Sequence, residues 1–93
     1  MSNTLRQQIE QAAAALIAAG AREVYLFGSG ARAGAQDARD IDLAISGLPP
    51  EKFFPAMSAA ARLLDRPLDL IDLDEHTLFT EHLRKYGKLQ RVA

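Results

Sequence analysis

Apolar residues recur at three- and four-residue intervals near the start of the chain, at Leu5, Ile9, Ala12, Ala13, Leu16 and Ile17. That spacing predicts an amphipathic helix. Ser2, Asn3 or Thr4 can cap it, and Gly20 ends it. Its polar face is Arg6, Gln7, Glu10 and Gln11, in solvent. The period then shortens. Residues 22–27 (Arg-Glu-Val-Tyr-Leu-Phe) are rich in β-branched and aromatic side chains and stop at Gly28, which predicts a strand. Gly28 to Gly34 holds three glycines and reads as a tight turn, with room for one helical turn over residues 30–33. Residues 40–45 alternate strictly: Asp40, Asp42 and Ala44 share one face, and Ile41, Leu43 and Ile45 share the other. One face is expected to enter the core and the other to present the two carboxylates.

The helical period returns after Gly47–Pro50, with Pro50 suited to a first turn. Phe53, Phe54, Met57, Ala60, Ala61 and Leu64 form the expected buried stripe, and Asp65-Arg66-Pro67 ends the helix. Residues 68–73 predict a third strand, with Asp69, Ile71 and Leu73 on one face. Asp72 or Asp74 can cap a last helix running through Phe79, His82, Leu83 and Tyr86 to Gly87. Lys88 to Val92 can close the chain as a short strand or run on as an extended tail. The order α-β-turn-β-α-β-α predicts a small α/β (α+β) domain, a short mixed sheet of three to four strands with helices packed on it.

Composition narrows the picture. The chain has 93 residues, enough for a single core over residues 1–93 and too few for two. A net charge of −1 with no basic stripe argues against a domain that grips a long nucleic acid by its phosphates. There is no cysteine, so disulfides and thiolate metal sites are absent. No apolar run approaches the ~20 residues that span a bilayer, and charged and amide residues interrupt the alanine-rich opening, so no membrane association and a cytoplasmic location are expected.

The chemistry concentrates in residues 26–45. Asp40 and Asp42 project side by side from one strand face. Ionised carboxylates about 4 to 5 Å apart repel by roughly 3 to 4 kcal/mol at an effective dielectric of 20. Solvent, a basic partner, a raised pKa or a divalent cation can offset this. Oxygen-only ligands suit Mg²⁺ or Mn²⁺, which take one or two carboxylates together with substrate phosphate oxygens. The Gly28-Ser29 turn supplies backbone N–H groups and a hydroxyl for an anion. A phosphate held there, beside metals on Asp40 and Asp42, is the arrangement that phosphoryl or nucleotidyl transfer needs.

Gly28-Ser29, ten residues and then Asp40-Ile41-Asp42, with apolar flanks on both sides, resembles the minimal nucleotidyltransferases of the DNA polymerase β-like superfamily. Pro67-Leu68-Asp69-Leu70-Ile71 is similar to the family's third acidic strand, and the likeness covers almost the whole chain. The resemblance implies a two-metal reaction. Asp40 and Asp42 would bind both Mg²⁺ ions, and Asp69 the ion that activates the incoming hydroxyl. Ser29 and the backbone of Gly28 and Gly30 would hold the triphosphate. Arg32 in the same turn reads either as a further phosphate contact or as an exposed turn arginine. ATP would be attacked at its α-phosphorus. Small members of the group are commonly antitoxins that transfer AMP to a tyrosine hydroxyl of a HEPN-type toxin, so the resemblance also implies that partner. Self-association is a further expectation for so small a domain.

The chain departs from the family at Arg39, where Ser usually precedes the first acid, and at Gly30, where a larger polar or basic residue is common. The alternative is therefore a catalytically weak or inactive module of the same fold that neutralises a partner by contact. Asp72 and Asp74 read as caps, and His76 and His82 as ordinary helix residues, because their six-residue spacing is not that of a helical metal pair.

Overall fold

The structure, a computed structural model, describes residues 4–28 and 38–93. Thr4 caps the first helix, α1 (Leu5–Ala18). Its hydroxyl accepts from the Gln7 N–H at 3.1 Å while the Gln7 side chain accepts from the Thr4 N–H at 3.0 Å, which satisfies two otherwise orphaned donors. Gly20, at φ +123°, follows the helix and turns the chain into β1 (Glu23–Phe27). β2 (Ile41–Ser46) runs antiparallel to it. A 3₁₀ turn over Pro50–Lys52 leads into α2 (Phe53–Ala61), and β3 (Leu68–Asp72), α3 (Leu78–Tyr86) and β4 (Gln90–Arg91) follow. The expected helical turn over residues 30–33 lies outside the described residues. Among the described residues no helix is long and apolar enough to cross a membrane.

The sheet has the order β3-β2-β1-β4. β1 pairs antiparallel with β2 and β4, and β2 pairs parallel with β3 through the α2 crossover. This is the mixed four-stranded α+β architecture that the pattern predicts, closing strand included. One face carries α1 and α2 over Val24, Leu26, Ile41, Leu43, Ile45 and Leu70. The opposite face is covered as well: Leu83 of α3 packs with Phe27, Ala44 and Leu73. The acidic face is therefore not wholly open to solvent; Asp40 and Asp69 on it are exposed and Asp42 is half-buried.

Three sequence expectations are corrected. Ile17 is partly exposed and Leu16 is the residue that reaches the core. Phe54, expected in the buried stripe, is 70% exposed. The phase of α2 is set by Phe53, Ala56, Met57 and Ala60, and a residue one step from Phe53 is rotated about 100° away from that face. Asp72 and Asp74 do not cap α3. Thr77 does, accepting from the Thr80 N–H at 3.1 Å, while Asp72 Oδ1 accepts from the Asp74 N–H and Asp74 Oδ2 from the Gly47 N–H. Those two acids tie the turn after β3 to the loop after β2. Arg84 completes the join, donating from Nη2 and Nε to the Leu73 carbonyl at 2.8 and 3.2 Å.

Candidate active site

Alternation along β2 sends Ile41, Leu43 and Ile45 into the α1/α2 side of the core and leaves Asp42 on the other face. Register then decides what stands beside it. Asp42 is aligned with Phe27 on β1 and with Asp69 on β3. Neighbouring strands lie about 4.8 Å apart, so the Asp42 and Asp69 side chains leave the same face as a cross-strand pair. Asp40 sits just before β2, exposed at the same end of the strand.

Asp42 feels this crowding. Partial burial, and then the neighbouring Asp69 and Asp40 carboxylates, push its pKa up from the ordinary aspartate range. The three acids thus form one electrostatic unit at the strand end, with Asp42 at its centre. They supply only hard oxygen donors, and their mutual repulsion is the kind that a divalent cation relieves. Among the described residues no group of three or more His, Asp or Glu side chains is placed to hold a metal ion by itself. An Mg²⁺ ion does not require such a cage, since it retains waters and draws further ligands from substrate phosphates. The donor set therefore fits the ion that the sequence implies.

Gly28 closes the site from β1. Its φ is +70°, and a Cβ built there would run into the Asp42 carboxylate. Both the left-handed backbone and the close approach require glycine. Gly28→Ala is expected to cost about 1–2 kcal/mol and, for a domain of this size, to lower Tm by roughly 5–10 °C. Thermal melts followed by circular dichroism check this; an unchanged Tm would mean that the turn relaxes freely. Ser29, Gly30 and Arg32, the remaining phosphate-cradle residues, lie outside the described residues.

Arg66 is a residue whose role the sequence pattern does not reveal. Its Nη1 donates to the Ala38 carbonyl at 2.7 Å and its Nε to Asp65 Oδ1 at 2.7 Å. Asp65 in turn is held by Gln8 of α1, which accepts from the Asp65 N–H at 3.1 Å and donates to Oδ2 at 3.3 Å. These bonds, that from Arg66 first, hold the Asp65 pKa below the ordinary aspartate range. The relay from α1 through Asp65 and Arg66 ends on Ala38, two residues before Asp40, and so positions the chain as it enters β2. In sequence, Asp65-Arg66-Pro67 reads only as a helix stop, because its partner is 28 residues away. Arg39 is exposed.

Two comparisons with known proteins find matches to this chain. The profile of a family described as polymerase beta, nucleotidyltransferase, matches residues 7–89. A chain of the crystal structure of the toxin-antitoxin MntA-HepT superposes with a TM-score of 0.60 at 22% identity, over 94% of this chain and 71% of that one. That likeness is one of fold. No curated protein sequence matches.

Proposed function

The chain belongs to the polymerase β nucleotidyltransferase family, and from that premise we propose that it transfers AMP from ATP to a protein hydroxyl. The observation that carries the reading is the register of β2 against β3, which aligns Asp42 with Asp69 and gathers with Asp40 a set of oxygen donors. Asp40 and Asp42 would hold two Mg²⁺ ions jointly, and Asp69 the one nearer the acceptor. Such ions, when bound, neutralise the charge on the entering and leaving oxygens. The acceptor oxygen bonds to the α-phosphorus, the bond from that phosphorus to the bridging oxygen breaks, pyrophosphate leaves, and the hydroxyl proton passes to solvent. Gly28 keeps the backbone close to Asp42, and its N–H, with Ser29, Gly30 and Arg32, is assigned to the triphosphate.

The acceptor proposed is a tyrosine of a HEPN-type toxin, with this chain as the cytoplasmic antitoxin. Support comes from the fold likeness to a chain of a toxin-antitoxin complex and from the near-neutral charge, which suits a protein acceptor better than a polynucleotide. A second reading, neutralisation by contact alone, is favoured by Arg39, a bulky cation directly beside Asp40. Incubation with labelled ATP, Mg²⁺ and a HEPN-type protein from the adjoining reading frame separates the two. Label on the partner, lost in an Asp40→Ala, Asp42→Ala variant together with neutralisation, is the expected result. Full neutralisation by that variant without any label establishes the contact reading instead.

A further inference from the structure

Among the described residues β3 is an edge strand, paired only with β2. The Ile41 N–H donates to the Pro67 carbonyl and the Leu73 N–H to the Ile45 carbonyl. A parallel ladder alternates, so residues 67, 69, 71 and 73 face β2, and the N–H and C=O of Leu70 face outward, as does the N–H of Asp72. Among the described residues no backbone partner meets them. The outer edge opens into a groove of about 370 Å³ floored by Leu70, Ile71 and Asp72. Phe53 and Phe54 of α2 wall one side and Phe79 of α3 the other. Phe54 and Phe79 are 70% and 48% exposed, and Phe54 is propped edge-on against Phe53 with ring centroids 5.4 Å apart. The charged residues of the lining are Asp72 and Glu75, both acidic.

We propose that this groove takes an extended segment of a different protein as a fifth strand on β3, apolar along its length and bearing Lys or Arg at the Asp72/Glu75 end. Backbone pairing to Leu70 supplies a hydrogen-bonded register, the aromatic walls take side chains from both faces of the added strand, and the two acids select a cation. Natural edges are usually blunted by Lys, by a bulge or by a covering element; β3 has no cation between Leu68 and Asp72. A second copy of this chain is disfavoured as occupant, because pairing β3 with itself would crowd Asp69 and Asp72 of both copies onto one short edge. The chain's own basic and apolar segment, Lys88 to Arg91, is already engaged, with β4 paired to β1. Asp69 lies on the same strand, three residues or about 10 Å from Asp72. Strand addition would thus lay the partner chain beside the carboxylates, a consequence that rests on the transfer reading although the docking does not.

The test uses a fluorescein-labelled hexapeptide, Thr-Val-Leu-Val-Lys-Lys, titrated with the full chain in the absence of nucleotide and followed by anisotropy. Saturable binding is expected. It should weaken about tenfold or more when alternate peptide amides are N-methylated or the lysines are replaced by glutamates, and comparably in Phe54→Ala or Glu75→Lys. Phe54 and Glu75 are exposed, so both variants should keep the wild-type circular dichroism spectrum. No binding up to about 1 mM peptide, or equal binding of the N-methylated peptide, overturns the proposal. So does a dimer on gel filtration that Phe54→Asp splits, since a second copy then covers the groove. As no nucleotide takes part, failure here is distinguishable from failure of AMP transfer.

Discussion

Asp42→Asn is expected to lower nucleotidyl transfer by about 10²- to 10³-fold or more, the scale on which a preorganised charge-stabilising group contributes, while leaving the fold as stable as before or slightly more so. The two halves of this result have one cause. Asp42 is partly buried between like charges, so its ionised form is disfavoured in the folded chain. A carboxyl whose folded pKa lies above its unfolded value carries a stability cost that is fully present above the folded pKa. The cost disappears as pH falls through that pKa toward the ordinary value of 3.8. Asparagine carries no such cost. The variant should therefore melt slightly higher at neutral pH, an effect that solvent screening keeps small, and the gap to wild type should close toward pH 4. Mg²⁺ should also narrow the gap by raising the wild-type Tm selectively. Melting curves at several pH values with and without Mg²⁺, paired with transfer assays, check this. A variant that loses activity and also melts well below wild type would show that Asp42 is a structural residue.

Leu43→Ala is the substitution with the largest expected effect on stability. Leu43 is fully buried in β2, which has β1 on one side and β3 on the other, in the cluster shared with α1 and α2. Truncating a buried leucine costs about 2–5 kcal/mol. A chain of this size has only about 5–14 kcal/mol of stability in all, and a Tm lower by 10–20 °C or more follows. Urea unfolding at unchanged m-value measures it. The contrast is Phe54→Ala on the surface, expected within about 0.5 kcal/mol of wild type. If the two variants unfolded at the same urea concentration, the division of the sheet into a packed α1/α2 face and an open edge would be wrong.

These expectations show where sequence patterns were sufficient. Strand alternation at residues 40–45 separated Asp42 from Ile41, Leu43 and Ile45 because side-chain direction in a strand is a local property with period two. Helix and strand existence and the short closing strand were legible for the same reason. Phase within α2 was harder. Of the six apolar candidates, packing against α1 and the sheet buried Ala60 and left Phe54 exposed, and it also buried Ala56, which the expected stripe did not include. The cap of α3 was misplaced because four residues with capping side chains stand close together, Asp72, Asp74, Thr77 and Thr80. Asp72 and Asp74 were drawn instead into bonds within the turn and to Gly47.

The sequence by itself determined which groups are candidates for chemistry: Gly28-Ser29, two acids at alternate positions of a strand and a third acid on a later one, all set by spacing along the chain. Tertiary structure decided their relations. That Asp42 faces Asp69 follows from the β2/β3 register, that Gly28 has no room for a Cβ follows from the approach of Asp42, and that Arg66 steadies residue 38 follows from a contact across 28 positions. Each is a through-space distance between segments whose separation along the chain carries no information about where they meet.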